Sequence, residues 1–382
     1  MRTHTAAGID IGTHDVKVVV VQTDPNNEKA LPKIIGAATV ESQGVRHGYI
    51  VNVREAVQSV RQAIALAERN SGTKIRKAAI SIGGISLQST VSIGSVVVSR
   101  GDSEVNELDL DKASASAERN LPGSSMVNRR IIHTIPLTYR IDGKSVFGRP
   151  QGMKGNKLEG KVLFITSLSQ HLDDLVDAIS EAGIEVLDIV AAPVAASLVT
   201  LSKNQKVAGC VLVNIGSETT SMVLFENNLP ISLEVFPIGS GDITNDIALG
   251  LKIPIEEAEA LKRGATPGAH ISKKKLDEII EARLSDVFDL VEAHLKKMDK
   301  NGLLPAGVII SGGGAGIPGI DELARSVLKL PARVTASKES ALSVAYGLAT
   351  LGLGTETHEG VITRASGSIG KKVVAWFKQF LP

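Results

Sequence analysis

The sequence predicts an α/β protein of two related domains, the first interrupted by a smaller inserted module. Three observations carry this. Ala6–Val21 reads as apolar strand, glycine-bearing polar turn and second strand, and the same pattern returns at Lys206–Phe225. A further apolar strand, Ala306–Ile310, runs into Ser311-Gly312-Gly313-Gly314. From about Ile85 to Phe164 the texture changes to short strands and Gly- and Pro-containing loops around one helix, as expected of an inserted α+β module.

Length and composition agree. A chain of 382 residues is too long for one ordinary domain. Aromatic residues are only 3%, so the core must be built from Val, Ile, Leu and Ala. A net charge of +1 gives no global field for nucleic acid, and no nucleic-acid partner is expected. The single cysteine, Cys210, lies in an apolar run and reads as a small buried hydrophobe. The first residues lack the clean apolar run of a secretory signal. The longest candidate span, Val186–Leu201, carries Asp188 and Pro193. A cytosolic protein, free or peripheral to a membrane, is the expectation.

The elements follow in order. Asn52–Asn70 has Val53, Ala56, Val57, Val60 and Ile64 on one helical face with Asn52 as cap. Lys77–Ile82 is a strand ending at Gly83-Gly84. Within the module, Val91–Val98 and Ile131–Ile135 are strands and Leu110–Asn120 a helix. Val162–Thr166, Leu172–Ala182, Val186–Ile189 and Val194–Ser202 then alternate strand and helix. In the second half, Asp242–Leu251, Pro254–Leu261 and Lys274–Lys297 are helical, a helix starts at Ile320, and Leu342–Leu351 is the last helix of the body.

Three glycine-bearing turns each follow an apolar strand: Asp10-Ile11-Gly12-Thr13, Asn214-Ile215-Gly216-Ser217-Glu218-Thr219-Thr220, and Ser311-Gly312-Gly313-Gly314. Such a turn presents backbone N–H groups, and glycine lets an anionic phosphate come close. Two of them, one per domain, can grip a triphosphate from both sides, and the third, before a helix, can carry the nucleoside. No Walker A pattern is present. A lone turn of this kind is weak evidence; the order of the three is more specific.

That order resembles the superfamily of actin, sugar kinases and heat-shock chaperones. The resemblance implies ATP and Mg²⁺ as ligands. It matches Gly12, Thr13 and Lys17 to the first phosphate loop, and Asp10 to the acid that orients Mg²⁺ through water. It matches Gly216, Ser217 and Thr219 to the second loop, and Gly312, Gly313 and Gly314 to the adenosine loop. Glu259, Lys262 and Arg263 resemble the helix that closes over ribose and adenine; the bland reading of that helix is a solvated charged face. Within the superfamily the chain is similar over nearly its whole length to the FtsA family of bacterial division proteins. The motifs carrying this are His133-Thr134-Ile135-Pro136, Tyr139–Gly143, Gly152–Glu159, Gly239–Ala248 and Ile279–Leu284. Gly239 and Asp242 join the nucleotide-binding candidates on that basis.

The implied architecture is an actin-like two-domain fold with an FtsA-type 1C insertion and a C-terminal amphipathic helix. Its expected parts are a first domain (1–84 and 165–203), the insertion (85–164), a second domain (204–243 and 301–352) with a small lobe (244–300), a linker (353–368) and the helix (369–382). The implied function is an ATP-binding division protein that polymerises and tethers FtsZ, through its C-terminal tail, to the cytoplasmic face of the membrane at the septum, with other division proteins meeting the insertion. Lys273, Lys274 and Lys275 with Lys296 and Lys297 read as one basic region of the small lobe, suited with Arg283 to an acidic tail. Some residues depart from the superfamily pattern. Asn214, Ser221 and Ala192 stand where acids are usual, and Ser217 and Glu218 interrupt a glycine run. ATP binding is expected and hydrolysis weak or absent. A small-molecule kinase, or a pilus adaptor such as PilM, are the alternatives on the same fold.

On a helix, Ile369, Val373, Val374, Trp376, Phe377, Phe380 and Leu381 fall in one arc of about 160°. Lys371, Lys372 and Lys378 take the other side. The segment is too short to span a bilayer, and its aromatics and lysines suit an interfacial helix on an anionic membrane. Each lysine near an anionic leaflet contributes roughly 1 kcal/mol. A helix docked on the chain's own core or in a partner groove is the alternative, against which the crowding of aromatics here speaks. His133 and His171 lack paired ligands at metal spacing.

Overall fold

The computed structural model describes residues 4–24, 31–98, 101, 103–268, 271–335 and 337–356. Strands β1 (Thr5–Ile11), β2 (Asp15–Gln22) and β3 (Lys33–Glu41) are antiparallel neighbours. The β-branched run Val18–Val21 of β2 is buried on both faces, as in a sheet covered on each side. A ribbon follows that the sequence reading passes over, β4 (Val45–Arg46) and β5 (Tyr49–Ile50). Its two-residue link, His47-Gly48, has φ of 47° and 81°, the positive pair that a tight hairpin demands. Helix α1 (Val53–Ser71) is capped by the Asn52 side chain, which accepts from the Glu55 N–H, and stops at left-handed Gly72. β6 (Lys77–Ile82) pairs parallel with β1.

The inserted module is a four-stranded antiparallel sheet with one helix on it. Its elements are β7 (Gln88–Val97), α2 (Glu107–Arg119), β8 (Arg129–Ile141), β9 (Lys144–Val146) and β10 (Lys157–Leu168), in sheet order β7-β10-β8-β9. Asn106 and Asp109 cap α2 reciprocally. At its root, the Ser89 hydroxyl and the Leu233 main chain exchange two hydrogen bonds, both 2.8 Å, so the module touches the second domain as well as the first.

The chain returns through α3 (Ser169–Glu181), β11 (Glu185–Ala191) and α4 (Ala192–Thr200). The second domain does not open on a strand at Lys206. Ser202 and Gln205 form a capping box that nucleates α5 (Lys203–Ala208), and β12 starts at Cys210 (Cys210–Ile215). β13 (Thr220–Glu226) and β14 (Leu229–Phe236) are antiparallel to it in turn. The small lobe is helical: α6 (Ser240–Leu251), α7 (Ile255–Lys262) and α8 (Lys273–Lys297). β15 (Val308–Ser311), α9 (Ile320–Leu328), β16 (Ala332–Val334) and α10 (Ser337–Glu356) complete the described chain.

The two five-stranded sheets have one topology. The first runs β11-β6-β1-β2-β3, the second β16-β15-β12-β13-β14 when read in the same direction. The strand–turn–strand repeat visible in the sequence is thus the centre of a whole repeated sheet. One assignment changes: α10 begins beside the second domain, where the Ser340 and Ser343 hydroxyls lie 3.3 Å from that of Ser311, then packs across β1 and α4 of the first. A Cβ on Gly8 would sit 2.2 Å from the Ala345 carbonyl oxygen, so only glycine allows that approach. α10 also runs to Glu356, into the stretch read as linker. Residues 357–382, with the amphipathic helix, lie outside the described residues.

Candidate functional site

A cleft of about 1210 Å³ lies between the two domains. The β1–β2 and β12–β13 turns enter it, one from each domain. Both close four residues, 12–15 and 216–219, between strands in matching register, Ile11 opposite Val16 and Ile215 opposite Thr220. Both are held by the same hydrogen bond. Gly12 N–H donates to the Asp15 carbonyl at 3.0 Å, and Gly216 N–H to the Thr219 carbonyl at 2.8 Å. A Cβ on either glycine would approach that carbonyl oxygen to 2.9 Å.

The registers also place equivalent side chains. Asp10 pairs across the strands with Lys17, and Asn214 with Ser221. All four line the cleft, with Gly12, Thr13, Gly216, Ser217 and Thr219. Asp10 accepts from the Ser81 hydroxyl at 2.7 Å. Ala192, at the start of α4, lines the cleft too, so each departure from an acid falls on the cleft wall.

The third turn divides its glycines. Gly312 has φ of 94°, and a Cβ there would meet Asn214 Oδ1 at 2.3 Å and the Ile215 carbonyl oxygen at 2.4 Å. Gly314 is packed against Ile215 and Ser240 and is outside the cleft lining. Gly313 faces open space within the lining. Gly239 is likewise behind the wall. Its N–H donates to the Asp242 carboxylate at 2.8 Å, while Ser240 and Gly241 N–H groups donate to the Gly216 and Ser217 carbonyls at 2.8 and 2.7 Å. The start of α6 therefore clamps the second turn; Asp242 itself reaches the cleft.

On α7, Glu259, Lys262 and Arg263 line the cleft and form one network. Buried Lys262 Nζ lies 2.6 Å from Glu259 Oε2 and donates to Thr244 Oγ1 at 2.8 Å and the Ser240 carbonyl at 3.0 Å. Arg263 Nε donates to Glu259 Oε1 at 2.6 Å and the Thr244 hydroxyl to Oε2 at 2.6 Å. Burial alone would raise the Glu259 carboxyl; the hydrogen bonds from Lys262, Thr244 and Arg263 outweigh it and hold the group at about 2. Burial lowers Lys262, against the pull of Glu259.

Sequence reasoning missed the β4–β5 ribbon, which brings Arg46, His47 and Gly48 to the cleft mouth. Gly48 N–H donates to Thr13 Oγ1 at 3.1 Å. Glu218 turns toward the ribbon: Arg46 Nη1 donates to its Oε1 at 2.9 Å and His47 N–H to its Oε2 at 2.6 Å. The usable signal was Gly44 and Gly48 bracketing Val45-Arg46-His47. Glu41 and Asp15 also line the cleft unforeseen. Away from it, His133 is fully buried, accepts the Ala191 N–H at Nε2, and is pushed down by burial to about 3, so it is neutral. The five lysines do not form one region. Lys273, Lys274 and Lys275 start α8 while Lys296 and Lys297 end it, roughly 30 Å away at 1.5 Å per residue. Arg283 is engaged by Asp246 at 2.6 Å.

A family described as cell division protein FtsA matches residues 211–347, and one described as the SHS2 domain inserted in FTSA matches residues 84–166. The cell division protein FtsA of Borreliella burgdorferi is 31% identical over 87% of this chain and 85% of its own. That of Pseudomonas aeruginosa is 30% identical over 86% and 82%. Among solved structures, a PilM–PilN type IV pilus biogenesis complex chain has a TM-score of 0.66 at 18% identity, covering 91% of this chain and 98% of that one. MreB5 of Spiroplasma citri bound to ADP has a TM-score of 0.53 at 14% identity, covering 94% and 96%. These two likenesses bear on the fold, which is actin-like.

Proposed function

The chain belongs to the FtsA family of cell division proteins, and on that premise we propose that its cleft binds Mg²⁺–ATP and that the protein polymerises and tethers FtsZ to the cytoplasmic membrane at the septum. The observation that carries nucleotide binding is the pair of identically bonded glycine turns entering one cleft from two domains. Lys17 beside the first turn suits a phosphate, and Asp10 is a hard oxygen ligand suited to Mg²⁺ through its waters. Gly313, open to the cleft, leaves room for a nucleoside on the third turn. The metal would offset phosphate charge against a wall that carries Asp10, Asp15, Glu41 and Asp242.

Hydrolysis is proposed to be slow, because Asn214, Ser221 and Ala192 place no carboxylate on their stretch of wall. The same feature disfavours a small-molecule kinase. Membrane attachment rests on the sequence of 369–382. Among the described residues no helix is long and apolar enough to cross a membrane. Avidity of many such tails on a polymer would make weak single helices bind firmly. Partners beyond FtsZ are proposed to meet the inserted module.

The deciding experiment is liposome co-sedimentation of the full chain and of a 1–368 truncation, with and without ATP and the FtsZ tail peptide. The full chain should pellet with anionic vesicles and the truncation should not; equal pelleting removes the membrane reading. A protein that ignored the FtsZ tail but bound a pilus peptide would point instead to a pilus adaptor.

A further inference from the structure

At the cleft mouth one anion collects an unusual set of donors. The Glu218 carboxylate takes Arg46 Nη1 at 2.9 Å on Oε1 and the His47 main-chain N–H at 2.6 Å on Oε2, with His47 Nδ1 3.8 Å from Oε2. A guanidinium edge joined to a backbone amide is the donor set that phosphate oxygens also take. The donors are well supported. Gly48 N–H is tied to Thr13 in the first turn, and the Tyr49 ring packs on His171 with centroids 4.6 Å apart. His171 Nδ1 in turn meets Ser86 Oγ at 3.1 Å. The ribbon is thus braced from the root of the inserted module, whereas Glu218 sits in a turn of the other domain. All of these groups except the bracing ones line the same cleft as both glycine turns.

We propose that Arg46 and the His47 amide form a binding site for the terminal phosphate of a nucleoside triphosphate, a site taken in this structure by Glu218. Phosphate held by the two turns repels the Glu218 carboxylate, and a triphosphate that displaces it leaves the ribbon's donors satisfied. A diphosphate lacks the group that competes, so Glu218 keeps its partners. Arg46 and Glu218 would then set the preference of the cleft for tri- over diphosphate. This rests on the nucleotide reading above.

The test is titration calorimetry of the full chain with Mg²⁺–ATP and with Mg²⁺–ADP, for the wild type, Arg46→Ala and Glu218→Gln, each checked for an unchanged melting curve. The Arg46 side chain is 72% exposed and the free protein gives up its bond to Glu218, so its loss should weaken ATP by up to about fivefold, the upper end for an exposed charge pair, with ADP little changed. Glu218→Gln should tighten ATP relative to ADP. The assignment is overturned if either substitution shifts both nucleotides by one common factor, or shifts neither, while the wild type binds both. A wild type that binds neither nucleotide sinks the nucleotide reading itself and this assignment with it.

Discussion

Replacing Gly239 by alanine perturbs the second glycine turn, proposed to hold phosphate, from behind and without touching the cleft. Gly239 has φ −148° and ψ −173°, extended backbone that alanine adopts without strain. The added Cβ is the whole perturbation. It would lie 2.3 Å from the Ser217 carbonyl oxygen, 2.5 Å from its carbonyl carbon and 2.7 Å from the Glu218 nitrogen. These are backbone atoms, so no side chain can swing aside. The turn or the start of α6 must retreat by about 1 Å to reach an ordinary contact. Retreat strains the bonds from Ser240 and Gly241 to the turn, each worth about 1 kcal/mol. Overpacking of this kind costs about 1–3 kcal/mol, a fall of some degrees in Tm. Nucleotide affinity should fall further, by tenfold or more, since a displacement of about 1 Å can cost up to 100-fold where geometry is strict. Calorimetric titration with Mg²⁺–ATP beside a thermal melt measures both. A folded variant with wild-type affinity would refute the idea that this turn grips phosphate.

Gly313→Ala reverses the balance: its Cβ meets nothing within 4 Å, so Tm should hold while affinity for ATP drops severalfold, and unchanged affinity would remove the third turn from the nucleotide site. Gly94→Val should cost a few kcal/mol, because even a Cβ would lie 2.1 Å from the Ala117 nitrogen and 2.2 Å from the Ala113 carbonyl oxygen of α2. Limited proteolysis should then cut the inserted module while ATP affinity stays near normal; loss of both together would show that module and cleft unfold as one. Glu259 is depressed to about 2, so its stabilisation is complete above about 4.5 and fades as pH falls toward 2. Lys262→Met removes a principal hydrogen-bond donor and brings the folded carboxyl closer to its ordinary value, so the fall in stability between about pH 5 and 3 should be smaller in the variant; denaturant melts from pH 7 to 3 that show the same fall for both proteins would count against the network.

Elements with strong local signals were legible in the sequence. α1 has a cap, an apolar face and a terminal glycine, and its predicted limits lie close to the observed ones. The turns at Gly12, Gly216 and Gly312 could be placed because a buried strand followed by glycine has few readings. What failed depends on distance. β4 and β5 are two residues each, too short for any period, and exist because His47 and Gly48 close a tight turn. Glu218 reads in the sequence only as an interruption of a glycine run, because its partners come from a ribbon far away in sequence. Gly239 and Gly314 carried motif signals, yet their small size serves backbone packing behind the wall. The lysines of α8 share one helix, but its length carries the two groups to opposite ends.

The repeated sheets make the remaining asymmetry meaningful. With one topology and one turn geometry, the two halves differ at the cross-strand pair beside each turn: Asp10 with Lys17 in the first, Asn214 with Ser221 in the second. A carboxylate and an ammonium lie on one wall and two neutral groups on the other, so the proposed metal-bound nucleotide would meet charges from the first domain and hydrogen-bonding groups from the second. The contacts between the domains are unequal too. α10 and the Ser89–Leu233 pair join them through packed helix and main chain at one side. At the mouth Glu218 meets Arg46 and His47 of the ribbon; Arg46 is largely exposed, and an exposed ion pair of this kind is worth about 1 kcal/mol or less. On this arrangement the mouth is the side expected to yield first, and an anion bound by both turns, as proposed, would add most where the chain itself contributes least.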